Sequence, residues 1–235
     1  MAELPAPALA RAVIEAIGSG NRTQATIAAA AGRAPVPSGT LSPLLRRLVE
    51  VKRILAIDVP LSTVSGKPAL YRVADSNLRF YLEMRQAHEL SRRGRPDAAT
   101  RLIERRWAAW RGRAVEPLVR ESLVRAAEAG ELPWPGVGAV GGWWNRSFEV
   151  EVDLVGTDRP GVAQDVLFVG STKWRASPVD SHDVDRLRWQ ATRVPGAPQR
   201  CPLVLASLAG PDPRVARDDV QLWWGPEQVC DSLAG

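Results

Sequence analysis

Two segments in the second half of the chain constrain its fold most, because each is a strand-like run that carries charge. Residues 147–156 read SFEVEVDLVG, and residues 167–175 read LFVGSTKWR. Side chains alternate between the two faces of a strand, so the first segment predicts an apolar face and an acidic face. The apolar face consists of Phe148, Val150, Val152 and Leu154, and the acidic face of Glu149, Glu151 and Asp153. The second segment predicts a buried strand that ends at Lys173, close to Asp153.

The surrounding pattern predicts an α/β domain over residues 112–235. A helical pattern through AVEPLVRESLVRAA precedes the two strands, and another follows around DSHDVDRLRWQATRV. Further strands are expected in RCPLVLASLAG and DDVQLWWG. Helices that alternate with strands in this way are typical of a sheet covered by helices.

Residues 1–78 predict three short helices and a β-hairpin. Caps are expected at Asn21 or Thr23 for the second helix and at Ser38 or Thr40 for the third. The third helix has an apolar stripe formed by Leu41, Leu44, Leu45 and Leu48. Two strand-like segments then flank the loop STVSGKP. Residues 6–75 therefore resemble a winged helix-turn-helix.

That resemblance implies DNA contacts from the third helix and from the loop of the hairpin. The candidate contact residues are Ser38, Thr40, Ser42, Arg46, Lys52, Arg53 and Lys67. Many winged helices bind only other proteins, so a protein docking role is the alternative.

The distribution of charge favours the DNA interpretation. Residues 1–113 contain 19 basic and 9 acidic side chains, a net charge of +10, whereas the remainder contains 12 and 17, a net charge of −5. Positive surface attracts the phosphates of nucleic acid. Residues 79–111 form a basic helical connector in which Trp107 and Trp110 lie among arginines. These tryptophans could stack on an unpaired base, but packing in a core between the domains is the favoured expectation.

Several other classes of function are disfavoured. No window reaches the roughly 18 apolar residues of a membrane helix, and the start MAELPAPALAR lacks the regions of a signal peptide. We therefore expect a cytoplasmic protein without a membrane partner. Cys201 and Cys230 are too far apart for a C-x-x-C zinc pair. No G-x-x-x-x-G-K-[ST] phosphate loop occurs, so the chain is not expected to be an ATPase.

An acidic residue on one strand and a lysine on the next resemble the half-site pattern of the PD-(D/E)XK nuclease superfamily. The chain is similar, in particular, to the restriction-endonuclease-like domain of unknown function at the C-terminus of archaeal-type AAA ATPases, which typically follows a winged helix. Motifs of that family are roughly Gly-x-x-Phe-Glu, Gly-x-Trp-Trp, Glu-Ile-Asp and Glu-Cys-Lys-Trp. The matching residues are Gly112, Glu116, Trp143, Trp144, Glu151, Asp153, Lys173 and Trp174. The resemblance implies an α+β winged helix followed by an α/β restriction-endonuclease-like domain, without the ATPase domain.

Ser171 stands where the family pattern has glutamate. In an intact site, the resemblance implies that Asp153 and this glutamate hold Mg²⁺ or Mn²⁺ while Lys173 orients or helps to deprotonate the attacking water. A serine hydroxyl is neutral, so affinity for the metal should fall. The carboxylates that could compensate are Glu116, Glu151 and Asp165. Alternatively, Lys173 forms an ion pair with Asp153 or holds a DNA phosphate without cutting.

Three functions follow as hypotheses. The favoured one is a DNA-binding protein with an inactive nuclease-like domain that acts as a regulatory or accessory factor. The second is a divalent-metal-dependent DNA endonuclease, with Glu116, Asp153 and Lys173 as catalytic residues and the two carboxylates as metal ligands. The third is an interaction module for a separately encoded ATPase, because the family architecture contains an ATPase that this sequence lacks.

Overall fold

The protein has two compact units in a computed structural model that describes residues 6–65 and 68–234. The first unit consists of residues 1–58 and 68–110, and the second of residues 59–67 and 111–235. The loop of the predicted hairpin therefore belongs to the second unit. Within the described ranges, no helix is both long enough and apolar enough to cross a bilayer.

The first unit combines helices with a two-stranded antiparallel sheet. Its elements are α1 (Pro7–Gly18), α2 (Gln24–Ala30), α3 (Ser38–Glu50), β1 (Leu55–Asp58), β2 (Leu70–Val73), α4 (Ser76–Arg92) and the first part of α5 (Pro96–Glu128). The three helices and the two strands lie where the sequence predicted them. The break between α4 and α5 falls in the predicted segment RRGRPD, where glycine and proline interrupt the helical pattern.

The caps of α2 and α3 differ from each other. Thr23 caps α2, since its side chain accepts a hydrogen bond from the backbone N–H of Thr26 at 3.2 Å. The prediction of a cap at Ser38 or Thr40 was wrong, because α3 already begins at Ser38 and extended Pro37 occupies the cap position. The apolar stripe of α3 is confirmed: Leu41, Leu44, Leu45 and Leu48 are buried in one core with Val13 and Ile17 of α1.

The second unit is a five-stranded sheet with helices packed against both faces. Its elements are the remainder of α5, β3 (Ala139–Trp144), β4 (Glu151–Thr157), β5 (Val166–Lys173), α6 (Ser181–Ala191), β6 (Leu203–Ser207), a short 3₁₀ helix (Arg217–Asp219), β7 (Leu222–Trp224) and α7 (Pro226–Ala234). The strands are ordered β3-β4-β5-β6-β7; the first three are antiparallel, and β5, β6 and β7 are parallel. The helix predicted after Gly112 is the C-terminal part of α5, which continues through that glycine.

Each face of the sheet has its own core. On one face, valines of β4 and β5 pack with Val184 and Leu187 of α6. On the other face, Phe168 packs with Val119 and Leu123 of α5. A Cβ atom at position 156 would collide with the ring of Phe168, so this position on β4 accommodates only glycine without a shift. The two cores hold the ends of β4 and β5 in fixed positions.

A bulge in β4 overturns the predicted alternation of this strand. Gly141 pairs with Val155 and Trp143 with Val152, so two steps along β3 correspond to three steps along β4. Val152 and Val155 consequently share one core, while Leu154 lies in the other. The prediction that Val152 and Leu154 share a face was wrong, because an extra residue in a strand reverses the alternation beyond it.

The bulge and the late start of β4 also change the predicted acidic face. Phe148 has a positive φ of 58° and lies in the turn before β4 rather than in the strand. Glu149 precedes the strand as well, so only Glu151 and Asp153 of the three predicted carboxylates belong to β4. A single row of three carboxylates does not form.

Candidate functional site

Asp153 lies in the β4 bulge, and its carboxylate is bound by the neighbouring strand. The Ser171 hydroxyl donates to Asp153 Oδ2 at 2.7 Å, and the backbone N–H of Thr172 donates to the same oxygen at 2.8 Å. Ser171 is itself buried, with 7% of its surface exposed. The residue at the expected glutamate position is therefore a hydrogen-bond donor to the aspartate, in contrast to a second carboxylate, which would repel it.

Arg120 of α5 stabilises the backbone of the bulge. Its Nε donates to the carbonyl oxygen of Asp153 at 3.0 Å, which satisfies an acceptor in the irregular part of the strand. Arg120 Nη2 lies 3.8 Å from Glu116 Oε2, one turn earlier on α5. Gly142 of β3 leaves room for this guanidinium, since a Cβ there would lie 2.8 Å from Arg120 Nη2. Glu116 thus contacts an arginine that binds the Asp153 backbone.

Lys173, at the end of β5, forms an ion pair with a buried carboxylate of α6. Its Nζ lies 3.2 Å from Asp183 Oδ1, and Arg175 Nη2 contacts Asp183 Oδ2. Asp183 is 7% exposed. Burial acts to raise the pKa of the Asp183 carboxyl, but the charge and hydrogen bond of Lys173, the charge of Arg175 and a backbone hydrogen bond from Asp180 outweigh it and lower this pKa below its usual value. Asp183 is therefore ionised at neutral pH.

The partner of Lys173 is thus Asp183, which the sequence analysis did not single out. Asp183 stands in the segment DSHD at the start of α6, where its backbone N–H donates to Asp180 Oδ1 at 2.9 Å in a capping box. That pattern of an acidic residue three positions after a cap residue is visible in the sequence. It predicts where the helix begins, but the contact with Lys173 depends on how α6 packs on the sheet.

The other carboxylates predicted as possible metal ligands, Glu151 and Asp165, do not complete a metal site with Asp153. Asp165 immediately precedes β5, and Ser171 lies near the opposite end of that strand, about 20 Å away at the usual rise of a strand. Glu151 is exposed at the start of β4, and its carbonyl accepts from Gln190 Nε2 at 2.7 Å. In the described parts of the chain, no three Asp, Glu, His or Cys side chains are placed to hold a metal ion. The side chains present therefore do not fit a divalent cation held by protein ligands alone.

Cys201 does not supply a reactive thiol to this sheet. Burial raises the pKa of Cys201 to about 12, against a weaker opposing effect of a backbone hydrogen bond with Val169. A thiol with so high a pKa is almost entirely protonated at neutral pH and is a poor nucleophile and metal ligand.

The predicted DNA-contacting residues of α3 lie mainly on its surface. Ser38, Ser42 and Arg46 are spaced four residues apart, so they lie along one face of the helix, away from the leucine stripe. The exposed members of the predicted set are Ser38, Thr40, Arg46 and Arg53. Arg53 has a positive φ of 53° at the turn that follows α3.

The remaining candidates differ in their surroundings. Ser42 is half-buried, and its hydroxyl accepts from Gln24 Nε2 of α2 at 2.7 Å. Lys52 is half-buried. Lys67 lies outside the described residues. The exposed residues of the predicted set therefore lie on α3 and in the turn that follows it.

The loop between β1 and β2 is built into the second unit. Leu61 is 6% exposed in the same core as Trp143, and its backbone N–H donates to the carbonyl of Gly142 at 2.9 Å. The backbone N–H of Ala163 donates to the carbonyl of Ser62 at 3.1 Å. Residues 61 and 62 are consequently buried, whereas Val64 and Ser65 of the same loop are exposed.

Comparison with known proteins gives a match to a family model. Searches of curated proteins and of solved structures found no match to this chain. The model of the family DUF234, described as "Archaea bacterial proteins of unknown function", matches residues 80–185. This segment extends from α4 through β5 to the start of α6, and it includes Glu116, Asp153, Ser171, Lys173 and Asp183. Over these residues, the chain is similar to a domain of unknown function in archaeal and bacterial proteins.

Proposed function

We propose that this chain is a DNA-binding protein with a nuclease-like second unit that does not cut, and that it acts as a regulatory or accessory factor. The observation that carries the proposal is the state of two of the three predicted catalytic side chains, Asp153 and Lys173. Asp153 is bound by the Ser171 hydroxyl, and Lys173 is paired with Asp183. Both groups therefore have protein partners where a nuclease would need a metal ion and a water molecule.

The nuclease-like arrangement is supported by the positions of Asp153 and Lys173. They lie on the adjacent antiparallel strands β4 and β5, and Ser171, two residues before Lys173 on β5, donates a hydrogen bond to Asp153. Without a second carboxylate at position 171, little negative charge remains to hold Mg²⁺. Loss of such a ligand removes much of the electrostatic stabilisation that a metal supplies to phosphoryl chemistry.

The DNA-binding part of the proposal is supported by charge and exposure in the first unit. Residues 1–58 and 68–110 contain 16 basic and 9 acidic side chains. Ser38 and Arg46 are exposed on one face of α3, at a separation that a helix in a major groove can present to the backbone or the bases. Duplex DNA is therefore the proposed ligand of α3.

Replacing Arg46 with alanine is expected to weaken binding to a labelled duplex and to lower the slope of log K against log salt by about one, because one phosphate contact is lost. Fluorescence anisotropy of the full-length protein over a range of salt concentrations measures both quantities. Arg11→Ala is the matched control, since the Arg11 side chain is 77% exposed on α1 and pairs with Glu15. Equal slopes for wild type and Arg46→Ala would argue against α3 as the DNA-binding element.

The wild-type protein is expected to leave supercoiled plasmid intact in Mg²⁺ or Mn²⁺. Ser171→Glu is expected to place a carboxylate beside Asp153, which destabilises the metal-free protein through like-charge repulsion and creates a site for a divalent cation. Mn²⁺ at a hundredfold excess over its Kd would then stabilise the variant by about 2.7 kcal/mol. Thermal unfolding with and without Mn²⁺ measures this effect, and agarose gels measure plasmid nicking.

Ser171→Gln is the control, since it has nearly the shape of glutamate without the charge and should show no dependence on Mn²⁺. Plasmid cleavage by the wild-type protein that Asp153→Ala abolishes would refute the proposal and establish an active endonuclease instead. This comparison of the wild-type protein with Asp153→Ala tests whether the protein cuts DNA even if Ser171→Glu does not fold.

A further inference from the structure

Three aromatic side chains of the first unit form a cluster between α4 and α5. The ring centroids of Phe80 and Trp110 are 4.9 Å apart with an interplanar angle of 65°, and those of Phe80 and Trp107 are 6.3 Å apart at 90°. The two indoles are 5.1 Å apart. We call these three residues the aromatic platform. Their mutual contacts hold each ring in one orientation.

The platform is held in place and only partly buried: Trp110 is half-buried, while the other two rings are exposed. Trp107 is 42% exposed, although it was expected to pack in a core. Phe80 is also exposed, and Ile103, which is exposed one turn before Trp107 on α5, adds to the apolar surface. Exposed apolar groups that adjoin one another in this way are typical of an interaction site, because burying an aromatic ring is favourable.

The helices that form the platform are rich in arginine. Residues 92–110 contain six arginines and two acidic residues. The exposed arginines are Arg92, Arg93, Arg95, Arg101 and Arg105. At a rise of about 1.5 Å per residue, Arg101 and Arg105 lie within about one Debye length of Trp107 along α5, whereas Arg92, Arg93 and Arg95 lie farther away, at the other end of the two helices.

The sixth arginine of this segment has a structural role. Arg106 Nη1 donates to the carbonyl of Glu83 at 3.0 Å, and its Nη2 donates to Gln86 Oε1 at 3.2 Å. These bonds join α5 to α4 close to the aromatic rings. They keep the two helices, and therefore the three rings, in register, so the platform is formed before any ligand binds.

We propose that the aromatic platform binds single-stranded nucleic acid by stacking of unpaired bases, with Arg101 and Arg105 attracting the phosphates. Such a strand presents flat apolar bases and negative charge together, which matches a surface of exposed rings among arginines. The bases of a duplex are stacked on one another, so they do not reach these rings. This inference goes beyond the proposed function, because the platform is separate from α3 and recognises a different form of nucleic acid.

The test measures binding of the full-length protein to labelled oligo-dT by fluorescence anisotropy. Trp107→Leu keeps an apolar side chain but removes the stacking ring, and it is expected to weaken binding about tenfold. Trp107→Phe is expected to retain most of the affinity, because a phenyl ring still stacks. The matched control is Trp189→Leu, since Trp189 is a 49% exposed tryptophan on α6 of the second unit. That variant is expected to bind like wild type.

Equal affinities of wild type and Trp107→Leu for oligo-dT, or no binding by either, would overturn the inference. A protein dimer that dissociates in Trp107→Leu, with no oligo-dT binding, would overturn it by assigning the platform to a second copy of the chain. Arg46→Ala separates the two proposals: it should weaken duplex binding without affecting oligo-dT. Binding of oligo-dT in a protein that does not bind duplex would support this inference and refute the role of α3.

Discussion

Asp183→Asn is expected to destabilise the second unit by about 3 kcal/mol at neutral pH, since removing one partner from a buried ion pair leaves the other charges without compensation. Asp183 is buried against Lys173 and also contacts Arg175. The value is placed at the lower end of the usual range because the Arg175 side chain is 43% exposed and can turn to water. Urea unfolding of the full-length protein, followed by circular dichroism, measures the shift in the midpoint.

Asp185→Asn provides the control on the same helix. Asp185 pairs with Arg188 at 2.7 Å, but its side chain is 69% exposed, so this variant should change stability by no more than about 0.5 kcal/mol. Similar midpoints for Asp183→Asn and Asp185→Asn would contradict the assignment of Asp183 as the essential partner of Lys173.

The dependence of stability on pH provides a second test of the ion pair between Asp183 and Lys173. The pKa of Asp183 is lower in the folded protein than in the unfolded chain, so its contribution to stability is fully present above the unfolded value of about 4. It is lost as pH falls through the lower folded value. The difference in stability between wild type and Asp183→Asn should therefore be constant from pH 6 to 7 and shrink below about pH 4.

The sequence allows prediction of those parts of the site that depend on local pattern. The apolar run before Lys173 predicts a buried strand, and β5 ends at that lysine. Leucines at helical spacing predict the buried face of α3, and the four of them are buried. In both cases the residues that form the apolar pattern are the residues that become buried, so the periodicity of the sequence is sufficient to predict them.

The remaining features depend on contacts between distant segments. Alternation in SFEVEVDLVG gives no indication of the bulge at Asp153, because the bulge is set by pairing with β3 and by the bond from Arg120 to the strand backbone. Lys173 has carboxylates available from several elements, and only the packing of α6 on the sheet selects Asp183. The exposure of Trp107 likewise follows from how α4 and α5 pair, since a tryptophan at this point in the helical pattern suits a core equally well.

The loop between β1 and β2 also depends on contacts with distant segments. The sequence predicted that Leu61 ends the first strand-like segment of the hairpin, before the loop STVSGKP. The structure places Leu61 after β1, in the core of the second unit, where a Cβ at Gly141 would lie 2.9 Å from its Cδ1 atom. A leucine at this position is compatible with either location, and only its neighbours in space distinguish them.

Leu61→Ala is therefore expected to destabilise the second unit by about 2 to 5 kcal/mol, because the truncated side chain leaves a cavity beside the sheet. Val64→Ala in the same loop is the control; Val64 is 54% exposed, and its truncation should change stability by at most about 0.5 kcal/mol. Urea unfolding of the two full-length variants measures the difference. Equal midpoints would mean that the Leu61 side chain is not part of the core. A large loss confined to Leu61→Ala would mean that Leu61 serves the fold of the second unit, while the exposed part of the same loop does not.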